Sequence, residues 1–416
     1  MSRDVVIVSY VRTPFGKFGG ALRDTPSIEL AALVMREALR RANLPPDGVE
    51  EVYYGQAMPG EAALTLNVPA RQATLKAGLP PEQVSITLDR ACCSSMTAVR
   101  LAARAIAGGE IDTALAVGAD NMSRAPFLLA PGLRWGRPLG HLPLEDNLFE
   151  LGYREFNPVA VDAGEVALEH GVSREEQDGW AYRSQKRYQE ALAAGKFSEE
   201  IVPVEVPQAR GEPVRVERDE FPKPHSTPEK LASLKTIYGS PTVTPGNAPG
   251  LDAGAAALLL MSAERAKATG TPVLARITAA VATATEPRLI ASIPGYTIGA
   301  ALERAGLAVE DVDLFEINEA FAAMPLVSSL ILAGGDRARA LRLQERMNVN
   351  GGAVAIGHPV GASGARILGT LALELRRRGG GTGAAAICGG LAQGEGVIIQ
   401  VDGQGSGPGG GGDHGR

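Results

Sequence analysis

Residues Ala38 to Ala57 align without a gap against residues Ala301 to Ala320, so the chain contains the same local plan twice. Each copy reads as the end of an amphipathic helix, a short turn and a buried strand. Each is followed later by another helix and an Ala-rich strand, Thr113–Gly118 in the first half and Ala384–Cys388 in the second. A repeated helix–turn–strand unit predicts an α/β fold of two stacked halves, with loops gathered at strand C-termini, where α/β folds collect ligands.

Between the copies, from about Asn121 to about Asn247, the texture changes to Pro, charge and aromatics, which predicts an inserted loop domain. Within it Ser173 and Glu176 are spaced as a capping box, and the helix they open runs through Trp180, Ser184, Arg187 and Tyr188. The resulting plan is a first half at 1–120, an insert at 121–247, a second half at 248–402 and a tail at 403–416. The tail has no apolar content to bury and is expected to be disordered.

A chain of 416 residues with 45% hydrophobic content can bury two or three domains. Its net charge of −6, with acids and bases mixed, lacks the footprint of a nucleic-acid binder. No apolar run approaches the roughly 20 residues of a membrane helix, and Met1–Asp4 leads straight into a strand, so the expected compartment is the cytoplasm. Three cysteines, two of them adjacent, form neither a disulfide framework nor zinc-ligand spacing. Reactive thiols are therefore expected, and no metal site.

Val84–Ala91 reads as a strand and Ser94–Gly108 as a helix with an apolar stripe at Met96, Val99, Ala103 and Ile106. Cys92 and Cys93 fall at the junction, where the positive end of the helix dipole is expected to lower a thiol pKa. Pattern alone leaves open which of the two faces a site. His358 lies in a Gly-rich turn before a helix through Arg366, Leu368 and Leu371, and small residues there permit close backbone approach. Asn318 ends a strand read as Val312–Ile317, and Cys388 follows the strand Ala384–Ile387 and precedes Gly389-Gly390. Two thiols, an imidazole and an amide are the groups needed to make or break a carbon–carbon bond beside a thioester.

Those four segments together resemble the thiolase family, and the resemblance runs from Val5 to the last strand before Gly403. Cys92-Cys93-Ser94-Ser95-Met96 is similar to the family's Cys-x-Ser-Gly-Met, with Ser95 for the usual Gly. Asn318-Glu319-Ala320-Phe321-Ala322 and Gly357-His358-Pro359-Val360-Gly361-Ala362-Ser363-Gly364 match family motifs. Cys388 and Gly390 are kept from Cys-x-Gly-Gly-Gly-x-Gly, whereas Leu391 and Ala392 depart from it.

The resemblance implies two α/β halves layered α-β-α-β-α. It makes Cys92 the acylated nucleophile, His358 its base and Cys388 the carrier of the second proton. Cys92 and Gly390 N–H groups would hold one oxyanion, Asn318 and His358 the other. Coenzyme A enters as a substrate, with no tightly bound cofactor, and binds near Lys223, Lys230, Ala248, Pro249 and Met324. The partners implied are acyl-CoA, acetyl-CoA and CoA, in a homodimer or homotetramer. Pro249 stands where many members have Ser, and Pro158-Val159 where acetoacetyl-specific members show His-Met, which predicts a broad 3-ketoacyl-CoA thiolase. The alternatives are an acetoacetyl-CoA-specific acetyl-CoA acetyltransferase and a non-catalytic thiolase-like scaffold. A decarboxylating ketoacyl synthase would need a second active-site His, and His141, His170, His225 and His414 lie outside matching motifs.

Overall fold

The computed structural model describes residues 3–58, 61, 67–129, 135–136, 139–146, 148–149 and 155–403. The tail expected to be disordered lies outside the described residues beyond Gly403. The chain begins with β1 (Val5–Arg12), α1 (Ser27–Ala42), β2 (Glu51–Gly55), α2 (Pro69–Lys76), β3 (Val84–Leu88), α3 (Ser94–Gly108) and β4 (Thr113–Asn121). The next stretch carries β5 (Phe127–Leu129), β6 (Leu144–Asp146), α4 (Val159–Glu169), α5 (Arg174–Ala193), β7 (Val204–Val206), β8 (Val214–Val216) and α6 (Pro228–Ala232). Then come β9 (Ala253–Ser262), α7 (Ala263–Thr269), β10 (Ala275–Ala284), α8 (Ile293–Ala305), β11 (Leu314–Ile317), α9 (Ala323–Leu332) and α10 (Arg337–Glu345). The chain closes with α11 (Ala353–Ile356), α12 (Ser363–Arg377), β12 (Gly381–Gly389) and β13 (Gln393–Val401).

The repeat is visible down to its caps. α1 and α8 both stop at a left-handed residue, Asn43 and Gly306, and both run through a short 3₁₀ turn into a buried strand, β2 and β11. The strands form one nine-stranded sheet in the order β11-β12-β13-β10-β1-β9-β4-β2-β3. Its two halves meet where β1 pairs antiparallel with β10, Val5 opposite Ile277.

Alternation along the strands builds the layers. In β4, Ala114 and Ala116 point into the core that holds α3 and α12, while Leu115 and Val117 face the core under α1 and α2. β12 does the same, with Ala385 and Ile387 inward and Ala384 and Ala386 toward α8 and α9. The result is the α-β-α-β-α stack, with α3 and α12 as the middle layer. β9 differs from the sequence reading, which assigns 248–402 to the second half. It hydrogen-bonds between β1 and β4 in the first half-sheet, because its unbroken apolar run is buried along its whole length and needs cover on both faces.

The stretch between β4 and β9 is pinned to both halves by buried polar ties. α5 opens with the expected capping box: Ser173 Oγ accepts from Glu176 N (3.1 Å) and Ser173 N donates to Glu176 Oε2 (2.7 Å). Farther along, Trp180 Nε1 and Ser184 Oγ both donate to the buried Glu319 carboxylate at 2.8 Å. On the first half, Arg12 is fully buried and pairs with Asp219 (2.6 Å) and Glu200 (3.1 Å).

Candidate active site

The half-sheets and the stretch between β4 and β9 enclose a cavity of about 220 Å³. Cys92, His358, Cys388 and Gly390 line it, with Cys92 beside Cys388 and His358, and Pro158, Val159, Ile237, Ile290, Phe321 and Met324 are part of an apolar wall. Ala248 and Pro249 also line it.

Cys92 reaches the cavity through a turn longer than the sequence predicts, because the strand before it is shorter. β3 stops at Leu88 because Asp89 Oδ1 takes the Ala91 N–H (2.8 Å) and Ala91 turns to φ +51°. Ser94 Oγ then accepts from Arg90 N (2.8 Å) and donates to Ala91 O (2.7 Å), and α3 starts. Cys93 is buried, and its Sγ donates to Arg90 O (3.1 Å). Burial pushes the Cys93 thiol up to about 12, and of the pair it is Cys92 that lines the cavity. Ser95 needs no glycine backbone: it lies inside α3, and its Oγ accepts the Ala365 N–H (2.9 Å) at the start of α12.

The thiol chemistry corrects one expectation. Contact with the Cys388 thiol, and then burial, hold the Cys92 pKa well above the ordinary thiol range, while the His358 ring pulls it down. Cys92 immediately precedes the N-cap of α3, so it sits outside the first turn, where the dipole acts most strongly. A thiol in this setting carries little thiolate of its own and would need a neighbouring base to become a nucleophile.

His358 is the imidazole beside Cys92. Ser363 Oγ donates to Pro359 O (2.8 Å) and lies 2.6 Å from His358 Nδ1. With its single proton given to the carbonyl, the hydroxyl accepts from Nδ1–H, and Nε2 is left unprotonated, with Asn318 Nδ2 as a donor 3.5 Å away. Ser363 appears in the sequence only as a small residue opening a helix, so its role as the ring's anchor was not foreseen. Asn318 is buried, with Nδ2 3.5 Å from His358 Nε2, and its Oδ1 has no hydrogen-bond partner among the described residues. The neighbouring Glu319 locks this loop, accepting from Asn348 Nδ2 (2.9 Å) and Val354 N (3.1 Å) besides the two α5 donors.

Cys388 lies within β12, opposite Gly394 of β13, and not beyond the strand as the sequence suggests. The ladder continues through Gly389 and Gln393, so the hairpin turn is Gly390-Leu391-Ala392. Leu391 and Ala392 adopt φ +56° and +51°, the left-handed region where the family pattern has glycine. Arg90 fastens this hairpin to the Cys92 turn, donating to Gln393 Oε1 (3.0 Å) and pairing with the buried Glu395.

The two lysines are not part of the cavity lining. Lys223 Nζ donates to Pro245 O (3.0 Å) over the Phe221 ring, and Lys230 Nζ to His225 O (3.0 Å). Among the described residues no group of His, Cys, Asp and Glu could hold a metal ion.

The thiolase N-terminal domain model matches residues 5–264 and the thiolase C-terminal domain model residues 271–401. The first ends beyond β9, in agreement with that strand's place in the first half-sheet. An acetyl-CoA acetyltransferase of Pseudomonas aeruginosa is 42% identical, covering 96% of this chain and 100% of that protein. The Bacillus anthracis acetyl-CoA acetyltransferase superposes with a TM-score of 0.89 at 37% identity, covering 96% of this chain and 99% of that one. Human mitochondrial 3-ketoacyl-CoA thiolase in complex with CoA gives 0.86 at 35%, covering 96% and 98%. With its sequence matched along both halves and its layers superposed on solved members, the chain is an acyltransferase that belongs to the thiolase family.

Proposed function

We propose that this enzyme is an acyl-CoA:acetyl-CoA C-acyltransferase that cleaves 3-ketoacyl-CoA with CoA, or condenses acyl-CoA with acetyl-CoA, through an acyl-Cys92 intermediate. The observation that carries the reading is the convergence of Cys92, His358 and Cys388 on a single cavity, with Cys92 beside both of the others. His358 Nε2 takes the Cys92 proton, the thiolate adds to the acyl carbonyl, and the adduct collapses to acyl-Cys92 by expelling CoA, which takes the proton back from His358, in condensation, or the acetyl-CoA enolate in cleavage. The N–H groups of Cys92 and Gly390 hold the resulting oxyanion, and Asn318 with His358 holds the oxygen of the acetyl thioester enolate. Cys388 removes the α-proton of acetyl-CoA in condensation and returns it in cleavage.

Coenzyme A is a substrate here, with no tightly bound cofactor. Its acyl arm lies along Ala248, Pro249 and Met324, and residues 121–247 form the outer wall as an inserted domain, with Lys223 and Lys230 toward the nucleotide. The enzyme works in the cytoplasm as a homo-oligomer. Edge strand β3, with Val84 and Ile86 exposed, is the surface a second copy would cover.

Apolar Pro158, Val159, Ile237 and Ile290 favour a broad 3-ketoacyl substrate range, since each buried methylene contributes about 0.8 kcal/mol. A thiolysis panel from four carbons upward, with mass mapping of the acyl adduct, tests both parts. kcat/KM should hold or rise with chain length, and the adduct should map to Cys92. The similarity to acetyl-CoA acetyltransferases favours the second reading, an acetoacetyl-CoA-specific enzyme. A steep fall beyond acetoacetyl-CoA would select it.

A further inference from the structure

We propose that Asp252 is a positioning residue for His358, and that together with Asp120 it sets the reach of the base toward Cys92 from the opposite half of the molecule. The inference rests on the reading of His358 as the base. The loop that carries His358 belongs to the second half of the chain, and its backbone is held by two carboxylates of the first. His358 N donates to Asp252 Oδ2 at 2.7 Å, and Gly361 N to Asp120 Oδ2 at 2.6 Å. Asp120 lies in β4, and Asp252 immediately precedes β9, its partner strand, where Asp120 stands opposite Gly254. The two side chains therefore rise from neighbouring ends of one paired strand unit of the first half-sheet.

Asp120 also gathers the Ala57 N–H (3.1 Å) and the Met58 N–H (2.9 Å), and both of those residues line the cavity. One carboxylate thus joins a cavity loop of the first half to the base loop of the second.

The glycines around His358 are explained by the same contacts. Gly357 has φ +110°, and a Cβ there would stand 2.8 Å from Asp252 Oδ2. A Cβ on Gly361 would stand 2.8 Å from Asp120 Oδ2. Both carboxylates are fully buried, and burial pushes each up to about 7. At 2.7 and 2.6 Å the two backbone hydrogen bonds are short, and a carboxyl keeps an acceptor oxygen for them whether ionised or protonated, which suits a loop that must not drift. A base displaced by about 1 Å from its nucleophile can lose on the order of 10²-fold in rate.

The test uses the full-length protein and two readouts: the rate of Cys92 alkylation by iodoacetamide at fixed pH, and the separate kcat and KM of thiolysis. Asp252→Ala should slow alkylation about 10-fold and kcat about 10²-fold, with KM within about 3-fold. Asp252→Asn offers a carbonyl oxygen to the same N–H and should restore both rates to within about 5-fold. Should Asp252→Ala fail to fold, Gly357→Ala, which presses on the carboxylate, should reproduce the slow alkylation. Wild-type alkylation and kcat in Asp252→Ala or Gly357→Ala, or an Asn variant no better than Ala, overturns the proposal. Failure of the functional reading is separate: wild-type protein would alkylate at Cys92 in a His358-dependent manner yet show no thiolysis.

Discussion

At the residue scale the site is organised by proton ownership. Ser363 gives its proton to Pro359 O, His358 therefore keeps one on Nδ1, and Nε2 is the atom that accepts the Cys92 proton in the proposed mechanism. Cys92 holds its own proton tightly because Cys388 and burial raise its pKa. A raised pKa means little thiolate at neutral pH, so the alkylation rate of Cys92 should keep climbing above about pH 9. A plateau already reached at neutral pH would point instead to a standing thiolate–imidazolium pair. Cys388→Ala should separate the half-reactions. Acylation from acyl-CoA survives through His358, while carbon–carbon bond formation falls by on the order of 10² to 10⁴. Rapid-quench measurement of the two steps checks this, and equal loss of both would make Cys388 structural.

Elements place these residues, and their ends are where sequence and structure part. The start of α5 was legible because a Ser and a Glu three residues on satisfy backbone donors locally. Ser173→Ala should remove that cap and cost about 1 kcal/mol, read as a lower urea midpoint at unchanged m-value. An unchanged midpoint would mean the helix start is held by tertiary contacts alone. The ends of β3 and β12 were not legible. β3 is cut short by Asp89 reaching the Ala91 N–H, and β12 extends through Cys388 because β13 continues the ladder. Leu391 and Ala392 carry the departure from glycine as backbone strain beside Gly390, the sort of outlier that persists where surrounding contacts over-determine a turn.

For the whole molecule the middle layer matters most. α3 leads from Cys92 and α12 from the His358 loop, so the two chemical groups stand at the same end of two helices packed in one core. Leu371 of α12 is 1% exposed in that core. Leu371→Ala should cost about 2–5 kcal/mol and lower Tm, and, by loosening the layer that holds both halves in register, lower kcat as well. Chemical denaturation and steady-state kinetics together check this. A loss under about 1 kcal/mol would show that the site collapses around the gap.

The sequence by itself determined the two-fold plan and the α/β class, and its short motifs singled out His358 and Cys388 among the residues that line the cavity. Those are carried by local periodicity, by the repeat and by short motifs, which need no knowledge of distant contacts. Tertiary structure decided what depends on atoms far apart in the chain. It sent β9 into the first half-sheet, because a strand apolar on both faces is stable only with both faces covered. It put Cys92 in the cavity and Cys93 in the core, and raised the Cys92 pKa through a thiol 296 positions away in sequence, Cys388. It also brought Asp252 and Asp120 against the His358 loop, contacts between halves that a linear motif cannot encode because hydrogen bonding depends on distance in space.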